Sequence, residues 1–254
     1  MNLPLSTHPV PVLEMRRDSL ADLRLRFTEP LDDGTRHWWQ QAEDQMAAQP
    51  DAQTVARLSS QYKRGPGRQV PGNSAWTHAQ LAHVLLLAQA LEYQAEDQRL
   101  ALLRQVFLWG DDQEKIALLR ALDWLDSHGA ALDLALQAGR TNNSQVFAAI
   151  ALDNPYPARH YDERAFYQLI LKALGMGLDV RRTEGLPRRR GHPLNQLALD
   201  LLEEQLAAER TVSAGLVQVI AFALLSPPQL QRLVELDRQQ RLPADWHDQL
   251  PLNP

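Results

Sequence analysis

Apolar residues in this chain recur at helical spacing and nowhere alternate as a strand would require. Leu81, Val84, Leu85 and Ala88 fall at i, i+3, i+4 and i+7, the spacing that lines one face of an α-helix. Phe166, Leu169, Ile170, Ala173 and Leu174 repeat the pattern, as do Leu216, Val219, Ile220, Ala223 and Leu224. Val, Ile and Thr, which strands favour, are sparse. Helices joined by short turns bury their apolar faces on one another. The pattern therefore predicts an all-α protein, an irregular α–α superhelix of HEAT-like helix pairs, with a compact irregular helical bundle as the alternative. No clean repeat at the roughly 40–47 residues of a HEAT unit is visible.

Punctuation divides the chain. Met1–Pro11 holds three prolines and reads as an extended arm. Residues 12–28 carry Leu13, Leu20, Leu23 and Phe27 in a helix pattern. Asp32 and Asp33 are placed to cap a helix holding Trp38, Trp39, Ala42 and Met46. Gln49-Pro50-Asp51 ends that helix and opens another through Val55, Leu58 and Tyr62. The Gly/Pro-rich stretch Gly65 to Gly72 then breaks the pattern, separating an N-terminal helical region with its arm, 1–72, from a helical core, 73–245. Thr77 caps the next helix, and further helices are expected at about 96–109, 112–125, 127–139, 143–152 and 162–174. Residues 175–193 read as a long basic loop with Arg181, Arg182, Arg188, Arg189 and Arg190. A helix follows from Leu194, another holds Leu216 to Leu224, and Ser226-Pro227-Pro228 opens a last one. From Leu242 the chain reads as irregular, with 246–254 a tail.

Composition excludes several chemistries. With 254 residues, 44% of them apolar and 22% charged, the chain can bury a sizeable core. A net charge of -5 argues against non-specific nucleic-acid binding. The absence of cysteine excludes disulfides, Cys-ligated zinc, Fe–S clusters and thiol nucleophiles. The N-terminus lacks the basic and apolar regions of a signal peptide. The apolar run Val219–Leu225 has seven residues, against the roughly 20 of a membrane span. A soluble cytoplasmic protein is the expectation. None of the eight histidines forms an H-E-x-x-H pair, and His78 and His83 stand five apart, off a common helix face. The pairs Asp32-Asp33 and Asp111-Asp112 read as caps. There is no G-x-S-x-G, P-loop or G-x-G-x-x-G, so neither a metal nor a cofactor is expected.

Polar residues concentrate between 140 and 172. Arg140-Thr141-Asn142-Asn143-Ser144 reads as a helix start; in the functional alternative, Arg140 and Asn142 reach into a groove and hold a carboxylate or phosphate. Asp153-Asn154-Pro155-Tyr156-Pro157 reads as a non-helical turn, because Asn154 and Tyr156 each precede a proline. It is either a rigid connection or a shaped loop presenting Asp153, Asn154 and Tyr156 to a ligand. His160 opens the next helix, where Gln168 and Lys172 share the side opposite Phe166 and Ile170. That side is either solvated or a ligand face with Lys172 as anion anchor.

The same stretch carries a resemblance. Glu114-Lys115-Ile116-Ala117-Leu118-Leu119-Arg120-Ala121-Leu122 resembles a segment of EboA-domain proteins. The likeness continues through Arg140-Thr141-Asn142, Val146-Phe147, Ala149-Ile150-Ala151, Asp153 to Ala158, His160 and Leu171 to Leu174. It fades N-terminal to about Tyr93 and persists weakly through Gly185-Leu186 and 194–210. Arg188-Arg189-Arg190-Gly191-His192 departs from the family in being more basic. The resemblance implies a bacterial role in making or moving secondary metabolites and their precursors across the inner membrane. It brings no catalytic residue with it.

Together these features predict an accessory binding or scaffold protein of such a pathway. Its partners are other proteins of the pathway and a small amphiphilic or anionic ligand. Two alternatives stand beside it. The candidate ligand-binding residues are Arg140, Asn142, Asp153, Asn154, Tyr156, His160, Gln168 and Lys172, and one alternative is an enzyme of that pathway with a polar site from Arg140, Asn142, Asp153, His160 and Lys172. The other is a peripheral membrane adaptor using the arginines of 181–190.

Overall fold

A computed structural model describes residues 12–68, 70 and 76–250. The expected arm at 1–11 and the last four residues of the tail lie outside the described residues. Among the described residues there is no strand, and no helix is long and apolar enough to cross a membrane. The fold is all-α. It divides into two compact units, 1–149 and 150–254.

The first unit holds α1 (Arg17–Thr28), α2 (Asp33–Ala48), α3 (Ala52–Arg64), α4 (His78–Tyr93), α5 (Glu96–Trp109), α6 (Asp112–Leu125), α7 (Leu132–Ala138) and most of α8 (Ser144–Ala151). The expected caps are in place. Asp32 accepts the Thr35 N–H at 2.7 Å and Asp51 the Thr54 N–H at 2.8 Å. Thr77 with Gln80, and Asp111 with Glu114, close reciprocal capping boxes. From His78 to Leu91 every residue of α4 except Ala79 is buried. A helix that is apolar on every side belongs inside a core, and α1, α2, α3, α5 and α6 all pack against it. Within this unit the helices therefore form an irregular bundle around a central member.

Two helices of this unit are shorter than their sequence patterns. Residues 12–16 are not helical. Arg16 N–H donates to the Trp124 carbonyl at 2.8 Å, and Ser127 N–H to that of Glu14 at 2.7 Å. Those bonds hold the segment extended beside the end of α6. Similarly, α7 starts at Leu132 rather than near 127. The buried Asp126 carboxylate takes the N–H groups of Ala130 at 3.1 Å and Ala131 at 2.7 Å, which fixes a turn there. Between α3 and α4, residues 66–68 form a 3₁₀ turn.

The second unit holds α9 (Pro155–His160), α10 (Glu163–Gly175), α11 (Leu186–Arg189), α12 (His192–Ala207), α13 (Leu216–Val219) and α14 (Pro227–Arg238). It departs from expectation in four places. Pro155 to His160 is helical, although two prolines argued against it. Proline is tolerated in the first turn of a helix, where the missing N–H has no intrahelical partner. Residues 175–193 are not an open loop: they include a 3₁₀ turn at Val180–Arg182 and α11. Gly185 has φ +76°, and a Cβ there would strike that of Ala158 at 2.7 Å, so the segment lies close on α9. The pattern from Leu216 to Leu224 breaks after Val219. Asn195 accepts the Ala221 N–H at 2.8 Å and donates to the Ala221 carbonyl at 3.0 Å. This bidentate grip takes residue 221 out of any helix ladder. Finally, Ala244–Gln249 form a 3₁₀ helix instead of an irregular tail, because Trp246 is fully buried and meets the Phe222 ring edge-on.

Candidate ligand-binding cleft

The polar residues of 140–172 divide between the units. Arg140 and Asn142 lie in the first and are exposed. Beside them Asn143 caps α8, accepting from the Gln145 N–H at 3.0 Å and donating to Asp112 at 2.7 Å. In the second unit Asp153 has φ +50°. Its N–H bonds the Arg182 carbonyl at 2.7 Å, and its carboxylate pairs with the Arg182 guanidinium. Asn154 is buried and caps α9 through the Tyr156 N–H at 3.0 Å. Tyr156 is fully buried, with its ring centroid 4.5 Å from that of His160. Gln168 is exposed on α10, and Lys172 is half-buried. The fold thus joins Asp153 to Arg182 and Tyr156 to His160. It turns Asn154 and Tyr156 inward.

The arginines of 181–190 are also largely engaged. Arg181 forks onto Asp179 at 2.7 and 2.8 Å. Arg189 donates to the Tyr161 carbonyl at 2.8 Å and lies over the Phe166 ring at 4.6 Å. Arg188 and Arg190 are exposed and make no ion pair among the described residues.

A cleft of about 540 Å³ opens in the first unit, where α3, the 66–68 turn and α6 meet the N-terminal turn of α4. Ser59 and Lys63 come from α3, His78, Gln80 and His83 from α4, and Gln113 and Glu114 from α6. Because the cleft lies over the first turn of α4, residues from several sides of that helix reach it. His78 and His83 therefore both line it, although their spacing takes them off a common face.

Hydrogen bonding fixes the tautomer of His78. His78 Nε2 lies 2.9 Å from the Phe27 carbonyl. A carbonyl only accepts, so Nε2 carries the proton. His78 Nδ1, 2.7 Å from the Tyr62 hydroxyl, is then the acceptor of that O–H. Burial lowers the His78 pKa and pushes the Tyr62 phenol well up, so both stay neutral. His83 Nδ1 lies 2.9 Å from Ser59 Oγ. Burial brings its pKa down to about 4, with Asp111 acting against that and Lys63 adding to it. His83 is 2% exposed, and its Nε2 has no hydrogen-bond partner among the described residues.

The rim is charged. Lys63 is bonded to Asp111 at 2.9 Å. Burial raises the Glu114 pKa, opposed by the bond its carboxylate accepts from the Asp111 N–H. Arg68 is exposed and makes no ion pair among the described residues. Trp76 stacks on Trp124 with centroids 5.7 Å apart, and Arg120 lies 5.9 Å from the Trp76 ring. Gly67 rests on the ring of Tyr62 so closely that a Cβ would penetrate it. That contact holds the Arg68 turn down at the cleft mouth.

Sequence reasoning passed over this site because its residues look like core. One signal was present. His83 interrupts the apolar run Leu81 to Leu87, and a polar side chain in a buried run requires a partner or a purpose.

A family model described as "Metabolite traffic protein EboA" matches residues 38–221. The match begins at Trp38, well upstream of Tyr93, where the resemblance was expected to fade. It contains the whole cleft. No curated protein and no solved structure matches the chain.

Proposed function

This chain belongs to the EboA family, and we propose that it is an accessory protein of a bacterial secondary-metabolite pathway that works by binding a small metabolite in the cleft of its first unit. The observation that carries this reading is the wall of that cleft. It contains a buried histidine with one ring nitrogen unmatched among the described residues. Buried polar atoms are nearly always paired, and one that is not sits here in a residue that lines a cleft. Pockets for small molecules combine apolar walls with a few placed polar groups, and Trp76 beside His83, Gln80 and Gln113 fits that description.

The reading favours holding over turnover. A general base works best with a pKa near the operating pH, and burial holds His83 near 4. Metabolite traffic, the description of the family model, asks a protein to bind and release its cargo. Ala79→Trp tests the proposal, since Ala79 lines the cleft but is not buried. Ligand-observed NMR of the full chain against metabolite extracts of a producing cell should show bound species. The variant should lose them without a change in Tm. Unaltered binding by the variant would take the ligand out of the cleft.

A further inference from the structure

We infer that the second unit docks on a bilayer of anionic phospholipid through an arginine surface carried by α10 and the end of α11. The cleft of the first unit plays no part in it.

Backbone contacts assemble the surface. Tyr167 donates its hydroxyl proton to the Arg189 carbonyl at 3.2 Å, and a Cβ at Gly191 would stand 4.0 Å from that hydroxyl. Residues 189–191 therefore cross α10 at Tyr167. Arg164 lies one turn before Tyr167 on the same face of α10, and Arg188 and Arg190 sit on either side of Arg189. These three arginines are exposed and make no ion pair among the described residues. Arg189 turns toward the Tyr161 carbonyl and the Phe166 ring. Both partners are neutral, so its charge is unanswered as well.

Nearby acids do not cancel these charges. Asp162 accepts the Ala165 N–H at the start of α10, where the helix dipole offsets a negative charge. Asp179 and Asp153 are taken by Arg181 and Arg182. Glu163 and Glu184 remain, both exposed. Residues 157–192 hold eight Lys and Arg against four Asp and Glu in a chain of net charge -5. The positive charge is therefore local, and an anionic surface meets this face of the unit first.

Apolar neighbours favour a bilayer over other polyanions. Pro187 and Pro193 are exposed, and Leu197, one turn beyond Pro193 on the same face of α12, is 38% exposed. In such a mixture the apolar groups enter the headgroup layer while guanidinium forks meet lipid phosphates. A single-stranded nucleic acid calls for exposed rings on which bases stack. Tyr161, Phe166 and Tyr167 are buried.

The test is cosedimentation of the full chain with vesicles of phosphatidylcholine alone or of an equal mixture with phosphatidylglycerol. The chain should sediment with the mixture and not with phosphatidylcholine. Arg164→Gln, Arg188→Gln and Arg190→Gln combined should weaken binding about a hundredfold, roughly fivefold per arginine. A control of equal net charge, Arg17→Gln, Arg64→Gln and Arg140→Gln, removes three exposed arginines of the first unit and should bind nearly as wild type does. Arg188→Lys with Arg190→Lys should keep binding, and about 0.5 M NaCl should abolish it. The Lys pair and the salt titration decide the matter even where the Gln variant fails to fold. If wild type ignores the mixed vesicles, if the control loses binding equally, or if salt has no effect, the lipid assignment fails. If oligothymidylate binds wild type but not the Gln variant, while vesicles bind neither, the surface serves nucleic acid and the lipid assignment is overturned.

Discussion

The first unit is built around one helix with neighbours on all sides, whereas the second, among its described residues, has none and is held by side chains that grip backbone. In the first, α4 presents thirteen buried residues to surrounding helices, and burial of apolar surface is the main cohesive term. In the second, prolines, glycines and the Asn195 grip keep several helices to four or six residues. Short helices leave most of their terminal N–H and carbonyl groups without intrahelical partners. Side chains fill that need. Asn195 grips Ala221, and Gln205 binds both the N–H and the hydroxyl of Ser213 at 3.0 and 2.9 Å. Arg189 holds the Tyr161 carbonyl and Asn154 the Tyr156 N–H. A chain rich in helix-forming residues can thus be organised in two ways, by packing where the helices run long and by polar clamps where they do not.

The sharpest way to break this contrast is a cavity in α4. Leu87 is fully buried, so Leu87→Ala should destabilise the first unit by roughly 3–5 kcal/mol. Urea unfolding with amide exchange read across α3, α4 and α6 measures it. A loss below about 1 kcal/mol would mean that α4 is not the centre of that unit's stability.

Acidification comes next. His83 ionises near 4 when folded, against 6.5 for an ordinary histidine. Between those values the unfolded state binds more protons than the folded one, so stability falls as pH drops through that window. The contribution from His83 alone is on the order of 3 kcal/mol by pH 4, with His78 shifted in the same direction. Exchange protection in α3 and α4 should decline between pH 6.5 and 4. Flat protection across that range would show that His83 is not buried and neutral.

In the second unit the corresponding strike is Asn195→Ala, which strips both partners from the Ala221 backbone. A loss of about 2 kcal/mol is expected, with faster exchange at residues 219–224. If exchange there is unchanged, the clamp contributes nothing and the contrast collapses. The smallest effect belongs to a conspicuous ion pair. Arg232 binds Glu203 at 2.8 Å with both side chains about half exposed. Arg232→Ala should cost at most about 0.5 kcal/mol, since solvent screens such pairs. A larger loss would put surface charge, rather than backbone clamping, at the root of this unit's stability.

Where structure follows from local pattern, the sequence was legible. Asp32, Asp51, Thr77 and Asp111 each announced a helix start, and each caps one. The Leu-rich stretches became the core helices. What could not be read came from contacts distant in sequence. Nothing near Leu216 signals that Asn195 will break the helix 26 residues later. Nothing near Trp246 signals that it will be buried. The α9 helix was missed for a different reason: two proline penalties were applied where the first turn excuses them. The cleft was hidden because a buried polar residue is visible only once its helix is known to be surrounded. The residues of 140–172 stood out by composition, and several of them serve as caps and clamps.

The Tyr62–His78–Phe27 chain of hydrogen bonds runs through a neutral imidazole. Its last member is a backbone carbonyl, which can only receive, so the direction of every bond is dictated from that end. The chain behaves like a sentence with fixed word order. The middle position is open to a group that gives at one end and takes at the other, as a glutamine amide does. It is closed to an ionised glutamate, which has no proton for the Phe27 carbonyl, and to lysine, whose charge would be buried there without a partner. Sequences that keep tyrosine at position 62 should therefore spell position 78 with histidine or a neutral amide, whatever else about the helix drifts.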